Sequence, residues 1–161
     1  MNNPIIALLG NPNVGKTSLF NRITKLNQKV GNYPGITVEK REGQVKANNK
    51  VYRIIDLPGT YTLFPSSLDE EVVFNTLVNK ESSFRPNLVV VVAEPTNLKR
   101  SIILYQQARE LGLPAIFVIN MIDEAKEKGI TIDVQKLEHL LNTKVYETNA
   151  RTGQGIDQLI K

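Results

Sequence analysis

Residues 4–9 (PIIALL) form a short apolar run, and Gly10-Asn11-Pro12-Asn13-Val14-Gly15-Lys16-Thr17 follows it directly. A helical pattern, Lys16–Thr24, comes next. A G-x-x-x-x-G-K-[ST] loop set between a strand and a helix constrains the chain more than any other feature it carries. Such a loop wraps phosphate oxygens with backbone N–H groups, and the helix N-terminus adds its partial positive charge. Gly10 and Gly15 permit the turn and the close approach of backbone to ligand. Lys16 brings a full charge to β- and γ-phosphates, Thr17 offers a hydroxyl to Mg²⁺, and Ser18 carries the loop into the helix.

The rest of the chain alternates in the way that loop requires. Apolar runs recur at 51–55, Leu88–Ala93 and Ala115–Ile119, each bounded by turn residues, which suits strands buried on both faces. Helical patterns lie between them at 69–78, 98–111 and Val134–Leu141, and 144–148 reads as a last strand. Gly112 closes one helix and Pro114 opens the next strand. The expected architecture is α/β, with six to seven strands in a mostly parallel sheet and helices on both faces. Residues 41–47 are half-polar and pair through Asn48-Asn49 with 51–55, giving one antiparallel edge strand.

At 161 residues the chain holds one domain, spanning 1–161. It has no cysteine, which excludes disulfides and thiolate zinc sites, and its one histidine, His139, reads as a solvated helix residue. No run is long enough to cross a membrane and no signal peptide is present, so the chain by itself is expected to be soluble and intracellular. Its net charge of +4 is scattered rather than patched, so no nucleic-acid partner is expected. The last residues begin a helix that stops soon after it starts, which suggests a fragment of something longer.

Four further segments carry chemistry. Asp56-Leu57-Pro58-Gly59 lies just past the strand 51–55, where a P-loop protein keeps its second acidic site: the aspartate holds Mg²⁺ and the glycine N–H reaches the γ-phosphate. Alone, D-x-P-G is an ordinary turn; its distance from the P-loop gives it meaning. Asn120-Met121-Ile122-Asp123 follows the strand Ala115–Ile119. The Asp123 carboxylate can accept from guanine N1–H and the exocyclic amine together, whereas adenine would leave it buried and unpaired. Thr148-Asn149-Ala150 follows the last strand and can put the Ala150 N–H on guanine O6, although a plain strand-to-helix loop would look the same. Gly35-Ile36-Thr37-Val38-Glu39 lies between the P-loop helix and the half-polar strand, where the Thr37 hydroxyl can reach Mg²⁺ and its N–H the γ-phosphate.

In this order, GNPNVGKT, GITVE, DLPG, NMID and TNAR resemble the signature elements of a translation-factor-class small GTPase. GNPNVGKTSLFNRIT, VGNYPGITVEK, DLPGTYTL and NLKRSIILYQQ are similar to the N-terminal G domain of the FeoB family of bacterial ferrous iron transport proteins, from about residue 5 to 158. The resemblance implies a Ras-like P-loop GTPase fold that binds GTP and GDP with Mg²⁺. It also implies a cytoplasmic domain joined through a helical spacer to an inner-membrane region that moves Fe²⁺, with homo-oligomers possible. Carried over by motif, Asn13 would help hold K⁺ beside the phosphates, with the Gly31 and Tyr33 carbonyls completing the site when switch I, the segment around Thr37, closes. The chain departs from the family at Ala93-Glu94-Pro95-Thr96-Asn97-Leu98, usually D-A-T-N-L, and at Asn149-Ala150, usually S-A; the second change would loosen packing around the guanine. An Era-like ribosome-assembly GTPase is the alternative, but that group usually has P-G-T-T-R where this chain has Pro34-Gly35-Ile36-Thr37-Val38.

No glutamine follows Gly59, where many GTPases orient the attacking water; Thr60 and Tyr61 stand there. Arg22 falls on the helix and Arg41 on the half-polar strand, so no arginine is expected at the phosphates. Hydrolysis then rests on Lys16, Thr17, Thr37, Gly59 and Asn13 with the metal ions, and should be slow. Guanine reading by Asp123 is testable by a swap. Asp123→Asn should weaken GTP binding and improve xanthosine triphosphate binding in a competition assay, and unchanged GTP affinity would remove the motif from base recognition.

Overall fold

The three apolar runs become the centre of a sheet. In the computed structural model, which describes residues 3–82 and 84–160, the strands are β1 (Ile5–Gly10), β2 (Gln28–Asn32), β3 (Glu39–Ala47), β4 (Lys50–Asp56), β5 (Leu88–Ala93), β6 (Ala115–Ile119) and β7 (Val145–Glu147). Among the described residues these form one seven-stranded sheet in the order β2-β3-β4-β1-β5-β6-β7. The helices are α1 (Lys16–Thr24), α2 (Leu68–Val78), α3 (Leu98–Glu110), α4 (Ile122–Glu127), α5 (Val134–Leu141) and α6 (Ile156–Ile160).

Continuous apolar strands make sense because the sheet has a core on each side. Ala7, Leu9, Val89, Val91, Phe117 and Ile119 face one core, closed by Leu77 of α2, Leu104, Tyr105 and Ala108 of α3, and Leu137 and Leu141 of α5. Their neighbours Leu8, Val90, Val92 and Val118 face the other, closed by Leu19, Phe20 and Ile23 of α1 and Ile156 of α6. The alternation follows from the two-residue period of a strand. Tyr105 and Phe117 meet edge to face at 5.9 Å, a geometry worth roughly 0.5–1.5 kcal/mol beyond area burial. Burying the Tyr105 ring also buries its hydroxyl, which donates to the Leu141 carbonyl at 3.1 Å and so joins α3 to α5.

The expected antiparallel strand is present, but its place differs. β3 pairs antiparallel with β4 through the two-residue turn Asn48-Asn49, whose φ values of 51° and 62° suit a tight hairpin. β3 is not the edge, however, because β2 pairs outside it, from Gln28 opposite Gly43 to Asn32 opposite Glu39. β2 reads QKVGN, four of its five residues are exposed, and it buries no apolar face that periodicity could reveal. His139 is exposed on α5, as read from the sequence.

Loops at the carboxyl ends of β1, β4, β6 and β7 come together, the place where open α/β sheets bind ligands. Gly155 (φ 81°) secures the last of them, since a Cβ there would lie 2.0 Å from the Glu147 carbonyl oxygen. Only glycine lets the chain turn that closely from β7 into α6.

Candidate functional site

At the end of β1 the chain turns through Asn13 (φ 67°) and Gly15 (φ 77°) into α1, whose first N–H groups have no side-chain cap. Uncapped donors at a helix start are satisfied by water or by an anion. Gly10 is packed so closely that a Cβ would sit 2.8 Å from the Val92 carbonyl oxygen, and Gly59 is similarly confined, its added Cβ 3.0 Å from Pro12 Cα. Asn11 is buried behind the loop, with its amide 3.4 Å from Ser101 Oγ. Val14 is fully buried, while Asn13, Thr17 and Ser18 face outward.

Lys16 is 8% exposed and Asp56 6%, and they form an ion pair of 2.5 Å, Nζ to Oδ1. Lys16 Nζ also donates to the Leu57 carbonyl, and Thr17 Oγ1 donates to Asp56 Oδ2 at 3.0 Å. A cavity of about 370 Å³ opens over this group, and Thr37, Val38, Glu39, Pro58 and Gly59 share its wall. The P-loop segment Asn11–Ser18 lines an adjoining cavity of about 410 Å³ except for the buried Val14. The acidic and basic phosphate-side groups expected from the sequence are thus in contact, with Thr37 beside them.

The base-side residues meet around one amide. Asn120, 1% exposed, donates from Nδ2 to the Val14 carbonyl at 3.0 Å. Its Oδ1 accepts from Thr148 Oγ1 and from the Ala150 N–H, both at 3.0 Å. Met121 (φ 57°) then turns the chain so that α4 begins at Ile122, which is buried, with Asp123 in its first turn. Asp123 Oδ2 pairs with Arg151 at 2.6 Å. The Ala150 N–H, expected on guanine O6, is here directed at Asn120. Asn149 is buried and its Oδ1 accepts from the Arg151 and Thr152 N–H groups, at 3.1 and 3.4 Å. The asparagine therefore builds a side-chain turn of its own.

The segment after α1 is committed elsewhere. Gly31 lies in β2 opposite Lys40, and Tyr33 packs with Val38 and Val72 in a small apolar cluster that Ile36 covers. Gly35 (φ 76°) makes the turn between them, and the Tyr33 N–H donates to the Val38 carbonyl at 3.0 Å. Neither Gly31 nor Tyr33 lines the two cavities, so only Asn13 of the expected potassium ligands stands beside the P-loop. The Tyr33 hydroxyl is buried without a hydrogen-bond partner; the neighbouring Thr76 hydroxyl donates instead to the Val72 carbonyl at 2.7 Å. Beyond Gly59, Thr60 is 1% exposed with its N–H on the Gly10 carbonyl, so it cannot orient water. Gln107 of α3 spends its Oε1 on the Leu63 N–H at 2.9 Å, and is likewise unavailable.

Four charged residues gain a place here that sequence motifs do not give them. Arg41 lines the 370 Å³ cavity, with its Cα opposite that of Asp56, and its Nε pairs with Glu39 at 2.9 Å. Arg41 thus stands on the wall of the cavity that Lys16 and Asp56 also line, where the sequence shows only its place on the half-polar strand. The two-residue strand period, which puts residues 39 and 41 on one face, is the signal that could have found it. Asp69, in the first turn of α2, lines the same cavity. Arg22 donates to the Ala150 and Arg151 carbonyls, and Arg151 reaches Asp123; neither contact follows from the spacing of a motif.

A phosphate-wrapping loop after β1, an acidic turn after β4 and an N-x-x-D after β6 define a G domain of the P-loop GTPase fold. A family model described as "Ferrous iron transport protein B" matches residues 4–161. The chain belongs to this family, FeoB. It is 46% identical over 153 residues to the Fe(2+) transporter FeoB of Staphylococcus aureus strain N315, covering 95% of this chain and 22% of that protein. It is 44% identical over 154 residues to the Fe(2+) transport protein A/Fe(2+) transporter FeoB fusion protein of Porphyromonas gingivalis, covering 96% of this chain and 18% of that one. Among solved structures, the cytosolic domain of T. maritima FeoB in a GDP form superposes with a TM-score of 0.91 at 40% identity, over 98% of this chain and 61% of that one. The FeoB G-domain from Methanococcus jannaschii gives 0.84 at 38%, over 99% and 94%. The chain thus spans about a fifth of the curated relatives it matches. No helix among the described residues is long and apolar enough to cross a membrane.

Burial, and secondarily the charge of Asp56, pushes the Tyr33 phenol up from 10.0 to about 12. Between those values the unfolded tyrosine has lost its proton while the folded one keeps it, so this contribution to stability is present below pH 10 and lost as pH rises towards 12. Each tenfold difference in proton affinity is worth about 1.4 kcal/mol, so Tyr33→Phe should remove about 2–3 kcal/mol of the alkaline loss seen in denaturant titrations. At neutral pH it should be no less stable than the parent. Identical alkaline losses in both proteins would contradict the burial of Tyr33 against α2.

Proposed function

We propose that the chain binds GTP and GDP with Mg²⁺ and hydrolyses GTP slowly, as the cytoplasmic regulatory or driving part of a ferrous iron transporter in the bacterial inner membrane. The observation that carries this reading is the meeting, at the carboxyl ends of the strands, of the Lys16–Asp56 pair with the Asn120-centred base loops. Relatives solved in GDP and GMPPNP forms support the nucleotide class, and the much greater length of the curated relatives supports a spacer and membrane region elsewhere in the parent protein. The family match leaves the ribosome-assembly alternative without an observation in its favour.

Phosphate oxygens compete with Asp56 for Lys16. With the ammonium on the β- and γ-phosphates, Asp56 would be left buried, and the same carboxylate would serve as a ligand for a cation. Thr17 Oγ1, already 3.0 Å from Asp56 Oδ2, and the Thr37 hydroxyl in the same cavity are hard oxygen donors that suit Mg²⁺, directly or through water. The ion would supply charge neutralisation across the phosphates. The uncapped N–H groups of α1 would hold the β-phosphate, and the Gly59 N–H would serve the γ-phosphate. Backbone groups near Thr37 orient the attacking water, since Thr60 and Gln107 are spent elsewhere.

Potassium enters this reading through Asn13, and the Gly31 and Tyr33 carbonyls, here held in β2 and against α2, would join it when switch I closes. The direct test is phosphate release from GTP with Mg²⁺ present, in KCl and in NaCl at equal ionic strength. The parent chain should turn over slowly and faster in KCl, and Asn13→Ala should lose the difference between salts. Lys16→Ala should be slower by on the order of 10²-fold or more. It should unfold at a lower temperature because Asp56 loses its buried partner, so its fold is checked by circular dichroism at the assay temperature. Parent-like hydrolysis by folded Lys16→Ala would refute the phosphate site; equal rates in both salts would remove potassium.

A further inference from the structure

The loop that meets the base is gripped from behind by a residue outside the five nucleotide-binding segments. Arg22, on the last turn of α1, donates from Nε to the Ala150 carbonyl at 2.9 Å and from Nη2 to the Arg151 carbonyl at 2.5 Å. One planar guanidinium fork therefore fixes two successive carbonyls, a geometry a lysine cannot reproduce. Gly153 (φ 89°) lets the loop curl round the fork, with the position of an added Cβ only 3.7 Å from the guanidinium carbon. The near end of the loop is already fixed, since Thr148 Oγ1 and the Ala150 N–H both donate to Asn120. Beyond Ala150 the loop is held by its own bonds, from the Arg151 and Thr152 N–H groups to Asn149 Oδ1 and from the Asn149 N–H to the Gln154 carbonyl. Arg22 adds the contact that ties the loop backbone to another element. The loop delivers two groups to the base side: the Ala150 N–H, and the Arg151 guanidinium on Asp123.

We propose that Arg22 is a positioning residue for guanine: by clamping the Ala150 and Arg151 carbonyls it keeps the loop closed against the base, fixing how sharply O6 is read and how long the nucleotide stays. This rests on the guanine-nucleotide reading given above. The Ala150 N–H can pass from Asn120 to O6 only if the peptide on its far side does not swing away, and Arg22 holds that peptide. The clamp is exposed to solvent, so its effect is moderate and kinetic. A contact serving stability alone would change the unfolding temperature and leave base discrimination untouched.

Dissociation of a fluorescent GDP analogue from the 161-residue chain, chased with unlabelled GDP, reads the dwell time. Competition between GDP and 6-thio-GDP reads discrimination at O6, because sulfur is a larger and weaker acceptor while the N1–H and amine seen by Asp123 remain. Arg22→Ala should release GDP about threefold to tenfold faster, as expected for two modest hydrogen bonds, and should narrow the preference for GDP over 6-thio-GDP. Arg22→Lys should fall between the two, and it carries the same readings if Arg22→Ala unfolds. An unchanged release rate, or faster release with an unchanged preference for oxygen over sulfur, would overturn the proposal while leaving the nucleotide reading intact. Failure of the parent chain to bind GDP would remove both.

Discussion

One buried carboxamide, that of Asn120, holds the base side of the site to the phosphate side. Its Nδ2 ties the end of β6 to the Val14 carbonyl in the P-loop, and its Oδ1 ties it to Thr148 and Ala150 after β7. Three loops from three strands thus share one side chain that is almost wholly removed from water. Leaving any of those buried donors or acceptors unpaired would cost about 1–3 kcal/mol each, so the three loops keep their register together. A Cβ on Gly15 would lie 2.4 Å from Asn120 Nδ2, which explains why the P-loop needs glycine there as well as a positive φ. Asn120 is less a reader of the base than the fastening that puts Asp123, Ala150 and the P-loop within reach of one ligand.

On the phosphate side the controlling influence is electrostatic. Lys16 and Asp56 are both nearly buried, and a buried pair is stabilising only while each charge keeps a partner. In the proposed reading a phosphate would take the lysine and a cation the aspartate, which would couple nucleotide and metal through one exchange of partners. The cavity wall carries further charge of both signs in Arg41, Glu39 and Asp69. Because β3 and α2 bring these residues in, movement of either element changes the field at the phosphates. The apolar contact of Tyr33 and Val38 with Val72 joins the segment after α1 to α2, so two elements that line the cavity over Lys16 and Asp56 are packed to each other.

Much of this is legible in the sequence because the legible parts are those that bury apolar surface or carry unusual local geometry. β1, β4, β5 and β6 announce themselves as continuous apolar runs, since both their faces are covered. The P-loop and N-x-x-D announce themselves because each needs particular residues at fixed spacing. β2 does not, because it is held by ladder hydrogen bonds to β3 and buries almost nothing, and α4 is too short to show a period. Arg22 and Arg151 are illegible for a different reason: they act on partners far along the chain. Arg41 shows only through the strand period that puts it on the face of Glu39, beside the cavity. No pattern within one element marks an arginine that will clamp a distant carbonyl.

If the phosphate and base halves form a single site, that site must select guanine nucleotides. Calorimetric titration of the chain with GDP and with ADP, each with Mg²⁺, tests this most directly. Saturable binding of one GDP per chain is expected, with no measurable heat from ADP. Equal affinity for the two would show that the phosphates are held without the base being read, and would contradict a single guanine-selective site.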